Sequence, residues 1–242
     1  MKNYIFLLSF LFISITSAQA QWWSNKKVSG NGNYTVQNRN VSDYDAVSLT
    51  GSMDVELVAG NEGKITVEAE SNLMEYITTE VSGGTLKISV EKGVSLRPSK
   101  KGIKVTVPVK EIEEVNLTGS GDIWNTDRLS ARNFKISLTG SGDIKLNLHS
   151  QEIHGDITGS GDVALTGKTG KLLCKTTGSG DFKAYDLEAE EVDAQISGSG
   201  DMQVNASRYL KARISGSGDI RFRGNPEKQD FKTFGSGSIS SY

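Results

Sequence analysis

One tetrapeptide, Gly-Ser-Gly-Asp, recurs through the second half of this chain on a near-fixed beat. It stands at Gly119–Asp122, Gly140–Asp143, Gly159–Asp162, Gly178–Asp181, Gly198–Asp201 and Gly216–Asp219, and Gly235–Ser238 is a seventh copy with Ser in place of Asp. The longest step between copies runs from Gly119 to Gly140, the next longest from Gly178 to Gly198, and the shortest from Gly198 to Gly216. A period this short, carried by β-forming segments, predicts stacked coils in which each repeat buries its apolar face only against its neighbours.

The residues around each copy separate into inside and outside. Counting back from the first Gly, positions −6, −4 and −2 are mostly apolar, as in Phe134, Ile136, Leu138 and Val192, Ala194, Ile196. Between them lie mainly polar residues such as Lys135, Ser137, Asp193 and Gln195. After each corner the next residue is always apolar: Ile123, Ile144, Val163, Phe182, Met202, Ile220 or Ile239. A period of two is the mark of a strand with one wet face. Each repeat is therefore expected to hold two short strands separated by the Gly-Ser-Gly-Asp corner. Gly supplies backbone angles closed to other residues there, and Asp and Ser can bond nearby backbone groups.

The expected fold is all-β: a parallel, right-handed β-solenoid or β-helix, with a looser N-terminal β portion. At roughly 4.8 Å between strands, the six full copies would form a rod on the order of 30 Å long. An antiparallel sandwich or meander competes, because strands spaced by roughly 8–12 residues suit those folds too. Hairpins, however, should not repeat the same corner at every second turn. Gly51-Ser52-Met53-Asp54 is an earlier, looser corner, flanked by Val47, Leu49, Val55 and Leu57. Further strands are expected at 65–69, 85–90 and 103–107, and a short helical turn or an extended crossing at 72–79. The segment 91–102, with Lys92, Arg97, Lys100 and Lys101, reads as a solvated loop. The expected divisions are a signal peptide at 1–20, an N-terminal β portion at 21–114 and regular repeats at 115–242.

The first twenty residues combine Lys2, an apolar run from Ile5 to Ile15 and the small-x-small site Ala18-Gln19-Ala20, the pattern of a secretory signal peptide. The run is short of the roughly 20 residues that span a bilayer. No second apolar stretch follows, so no transmembrane segment is expected in the mature chain. The expected location is exported: periplasm, outer-membrane surface or extracellular space. Cys174 is the one cysteine, which excludes an internal disulfide. The net charge of −2, with both signs interspersed, argues against a nucleic-acid partner.

The assembled motifs resemble the putative auto-transporter adhesin, head GIN domain family, exported β-helical proteins of Bacteroidetes-like bacteria. The resemblance rests on 39–47, where Tyr44 holds a position often aromatic, and on Gly51-Ser52-Met53-Asp54-Val55. It continues through 72–77, 84–88 and Val105-Thr106-Val107-Pro108 into the repeats, and spans nearly the whole mature chain. It implies a β-helical exported protein with an adhesin-like role.

Candidate sites follow from the pattern. Stacking in register would align Asp122, Asp143, Asp162, Asp181, Asp201 and Asp219 in a column whose charges repel by about 1 kcal/mol per neighbouring pair in water. Hydrogen bonds to the corner backbone could offset this, as could a ladder of hard cations such as Ca²⁺. The Ca²⁺-binding β-roll signature itself is not matched, and no metal is otherwise indicated. Trp22, Trp23 and Trp124 are the ligand-binding candidates, since exposed Trp can stack on a sugar face or dock a partner. Covering an end of the coil is their alternative use. His149 and His154 are too few and too loosely placed for a metal site, and the corner Ser residues have no His partner on the same beat. Catalysis is not expected, because carboxylates that recur identically in each coil describe architecture.

The expected function is a non-catalytic exported binding protein, an adhesin presenting a rigid surface to glycan or to an envelope or host surface protein. The alternatives are a structural or assembly module of the envelope and a polysaccharide-active enzyme. No cofactor is expected beyond the Ca²⁺ alternative, and end-to-end or side-by-side self-association is open.

Overall fold

In the computed structural model, which describes residues 25–242, the repeats wind into a mostly parallel β-solenoid. The signal peptide expected at 1–20, together with Trp22 and Trp23, lies outside the described residues. Strands β12 (Leu129–Gly140), β13 (Ile144–Gly159), β14 (Val163–Gly178), β15 (Phe182–Gly198) and β16 (Met202–Gly216) stack in chain order. The last coil is built from β17 (Ile220–Arg223), β18 (Lys228–Gly235) and β19 (Ile239–Ser241), laid on β16 and β17.

The expectation of two short strands per repeat is revised in one respect. From β13 to β16 each strand runs unbroken for 15 to 17 residues, from just after one corner to the first Gly of the next. The second bend of the coil falls inside the strand. Between β13 and β14 the coils bend alike and the ladder continues around the bend, as in Leu148↔Gly167 and Ser150↔Thr169, whereas between β15 and β16 the register is interrupted from Ala184 to Ala189.

Register explains the corner. Gly119, Gly140, Gly159, Gly178, Gly198, Gly216 and Gly235 pair directly, one above another. Gly140 has φ +128°, and its carbonyl accepts the N–H groups of Ser160 at 2.8 Å and Gly161 at 3.1 Å in the next coil. A Cβ on Gly140 would lie 2.2 Å from the carbonyl oxygen of Gly119, and one on Gly142 would lie 1.9 Å from that of Gly121. Both glycines are dictated by the stacking of backbone on backbone.

The core follows the predicted alternation. Val115, Ile136, Gly155, Cys174, Ala194 and Ala212 form one inward ladder, and Leu117, Leu138, Ile157, Thr176, Ile196 and Ile214 its neighbour. Cys174 is buried, which pushes its thiol pKa upward and leaves it a packing residue.

The N-terminal portion belongs to the same stack out of chain order. Strand β3 (Ala46–Gly51) lies beside β10 (Glu114–Gly119), placing Gly51 under Gly119. Strand β4 (Asp54–Ala59) likewise lies beside β11 (Ile123–Asn125). On the opposite side, β3 pairs with β7 (Thr85–Val90) and β4 with β9 (Lys104–Val109). No Gly-Ser-Gly corner lies beneath Gly51, so Met53 can occupy the third corner position and fill the core.

Antiparallel strands finish this end. Strand β6 (Ile77–Ser82) lies on β7, β5 (Lys64–Glu70) on β9, and β2 (Tyr34–Asn40) on β5. A 3-10 turn at Met74–Tyr76 precedes β6, and Arg39 closes it by donating to the carbonyls of Met74 at 2.9 Å and Ile77 at 2.6 Å. Within the predicted basic loop, β8 (Val94–Arg97) pairs with β1 (Lys26–Ser29). The buried Glu70 carboxylate holds both segments, accepting from Gly32 N–H at 2.9 Å and from the N–H and hydroxyl of Ser99.

Candidate functional site: the corner column and the aromatic breaks in the coil

The carboxylates along the corner are joined by a backbone ladder. Oδ1 of each Asp accepts the N–H of the next: Asp122 from Asp143 at 3.0 Å, Asp143 from Asp162 at 3.1 Å and Asp162 from Asp181 at 3.0 Å. Asp181 accepts from Asp201, and Asp201 from Asp219, each at 2.9 Å. Asp54 begins the series beneath Asp122, and Asp219 ends it by accepting both the N–H and the hydroxyl of Ser238 at 2.9 Å.

Basic residues two positions past the corner supply counter-charge. Lys183 Nζ lies 2.5 Å from Oδ2 of Asp162 and 3.8 Å from that of Asp181, and Arg221 lies 3.7 Å from Asp219. Burial works against ionisation of Asp162, but Lys183 and the Asp181 N–H outweigh it and hold the carboxyl below its ordinary range. The N–H and hydroxyl of Ser238 lower Asp219 in the same way. Asp54 moves upward, chiefly through burial. Among the described residues no cluster of three or more His, Cys, Asp or Glu is arranged to hold a metal ion.

Trp124 faces outward between Glu56 and Lys145 in register. It is half-buried, and the Lys104 ammonium sits 5.8 Å from the ring centroid while pairing with Glu56 at 2.7 Å. The coil that starts here, from Gly119 to Gly140, is the longest of the regular series. Its extra length forms a loop in which Thr126 bonds Glu56 at 2.9 Å and Asp127 accepts the N–H of Ala59 at 3.2 Å. His149 and His154 are exposed, and His154 lies 2.5 Å from Glu152.

A second break in the beat was not singled out from the sequence. The step from Gly178 to Gly198 is longer than either neighbouring step, and the register shifts where Ala164 and Thr166 meet Lys183 and Asp186. This bulge carries Tyr185. Arg223 lies between two rings there, 4.3 Å from the Tyr185 centroid and 4.6 Å from that of Tyr242. The uneven spacing of the corners was the available signal, since the two longest coils each carry an outward aromatic on the strand after the corner. Trp124 and Tyr185 stand three coils apart, on the order of 14 Å along the rod.

Beside Tyr185, where this longer coil meets the shortest one, the surface folds into an open groove of about 670 Å³. Lys168, Glu188, Glu190, Asn205, Arg208 and Glu227 line it. Asn205 donates to the Tyr185 carbonyl at 3.3 Å, and Glu191 holds Arg208 at 2.5 Å.

The same architecture recurs in solved structures. A putative adhesin from Bacteroides fragilis superposes with a TM-score of 0.85 at 23% identity, over 89% of this chain and 100% of that one. A putative lipid binding protein from Parabacteroides distasonis shares 30% identity with a TM-score of 0.74, over 90% and 100% of the two chains. A putative adhesin from Parabacteroides merdae gives 0.65 at 21% identity, over 90% and 99%. No curated protein matches the chain. Residues 43–226 match the family described as putative auto-transporter adhesin, head GIN domain, and the chain belongs to that family.

Proposed function

We propose that this non-catalytic, exported, adhesin-like solenoid binds glycan chains along the face that follows the Gly-Ser-Gly-Asp corner. The observation that carries the reading is the placement of Trp124 and Tyr185 on that face, at the two longest coils of the regular series. The half-buried Trp124 ring offers an apolar plane to the C–H face of a sugar. Around Tyr185, whose ring lies under Arg223 and whose hydroxyl is buried, carboxylates, amides and guanidinium groups take up sugar hydroxyls. Glu56, Lys104 and Lys145 stand around Trp124, and the polar groove lies beside Tyr185. Three coils of separation would match a few sugar units of an extended chain. Among the described residues no helix is long and apolar enough to cross a membrane.

The test is a glycan array probed with the purified protein and with the Trp124→Ala and Tyr185→Ala variants. Each substitution should weaken binding about tenfold while the melting temperature of the rod stays close to the parent's. Silence of the unaltered protein across the array, together with capture of a surface protein that both variants still bind, would overturn the glycan reading.

A further inference from the structure

The last coil departs from the repeat in three ways. Residues in register just before the corner are Thr50, Thr118, Thr139, Thr158, Thr177, Ser197 and Ser215, all exposed hydroxyls, and the next in the column is Phe234, 70% exposed. The Asp ladder stops at Ser238. Among the described residues β18 pairs with β16 and with no other strand.

The open edge has a defined set of free backbone groups. In a parallel stack, alternate residues direct both N–H and C=O to the same neighbour. Lys135 donates its N–H to Glu113 in the coil beneath. The register carries Lys135 through His154, Leu173, Asp193 and Lys211 to Asp230. Asp230 and Lys232 therefore bond downward, while Gln229, Phe231 and Thr233 aim their N–H and C=O away from the rod.

We propose that this edge receives a second copy of the same chain, β18 against β18 in antiparallel register centred on Phe231. Phe231 then exchanges two hydrogen bonds with its counterpart, and Gln229 does so with the partner's Thr233. Charge selects this register. It sets Asp230 opposite the partner's Lys232 twice, in the pairs that hold no mutual hydrogen bond and bring side chains closest. It also sets Lys228 opposite the exposed Phe234 ring, a cation–π arrangement. Centring on Lys232 would oppose two lysines, and centring on Asp230 would oppose two aspartates. Continuation by a parallel coil would meet, in place of the ladder's carboxylate, the shorter neutral hydroxyl of Ser238, which already donates to Asp219. The two rods join end to end about a two-fold axis, and this reading is independent of any glycan.

Sedimentation velocity of the purified protein over a concentration series is expected to show an elongated dimer. K232E and D230K each place like charges across both pairs and should weaken self-association by about tenfold or more. Because Asp230 also holds Arg213 of its own rod, D230K should in addition lower the melting temperature, which K232E should not. Mixing the two variants restores opposite charges at both pairs, so a heterodimer should form where neither variant alone dimerises. T233P removes an edge N–H that the monomer does not use, and should lower dimerisation without lowering the melting temperature. A monomer throughout, a dimer indifferent to these substitutions, or polymers that lengthen with concentration would each overturn the proposal.

Discussion

A Cβ on Gly155 would lie 2.6 Å from Cε2 of Phe182, because the ring of that fully buried residue fills the space a side chain at 155 would take. The two belong to different faces of the solenoid, so the absence of one side chain admits the largest residue of the inward ladder after the corner. Gly155→Ala should cost about 1–3 kcal/mol in a urea titration, as overpacking does. Phe182→Leu, destabilising alone, should recover part of that loss when combined with it.

The Asp ladder separates hydrogen bonding from charge. Asp201 accepts the N–H of Asp219, and an amide oxygen can do the same. Asp201→Ala should cost about 1 kcal/mol, whereas Asp201→Asn should stay close to the parent. If Ca²⁺ occupies the column, added Ca²⁺ raises the melting temperature and a chelator lowers it; thermal scans in both conditions decide between a cation ladder and a purely backbone one.

Thr176 stands in a ladder of Leu and Ile, is fully buried, and its hydroxyl has no partner among the described residues. Thr176→Val should stabilise the fold by about 1 kcal/mol, read as a rise in the urea midpoint at constant slope.

Acid should destabilise the rod through identifiable carboxylates. Asp162 and Asp219 lie below the ordinary value of 3.8, and Glu56 and Glu114, held by Lys104 and Lys135, lie below 4.5. A depressed folded-state pKa gives stability that is complete above the unfolded value and lost as pH falls through the folded one. Asp54, raised by burial, contributes in the opposite sense. Melting temperature should be nearly flat near neutrality and fall between about pH 5 and pH 2. Glu56→Gln should flatten part of that fall.

Much of this architecture was legible because it is local and repeated. Each inward residue after a corner, from Ile123 to Ile220, is buried as the period of two required. Tyr44, marked by the family resemblance, is buried with its hydroxyl on the carbonyl of Pro108 at 2.5 Å. What escaped the sequence is non-local. The looser corner at Gly51 marks it as a coil of the same kind, but nothing there announces that it lies directly on Gly119, or that residues 85–109 slip in behind it. The segment 91–102 looked like a loop because a short parallel strand, matched to β1 far upstream, leaves little periodicity. Trp124 was legible as an outward aromatic, while Tyr185 required reading the slightly long step from Gly178 to Gly198 as a bulge.

The out-of-order stack also gives folding a direction. The coil of β3 and β4 is flanked on one side by β7 and β9 and on the other by β10 and β11, all of which follow it in the chain. It cannot be closed until residue 125 is available, so residues 46–125 act as a seed. Every later coil pairs only with its neighbours in chain order, so pulse-labelled hydrogen exchange during refolding is expected to protect residues 46–125 as one unit and the later coils stepwise.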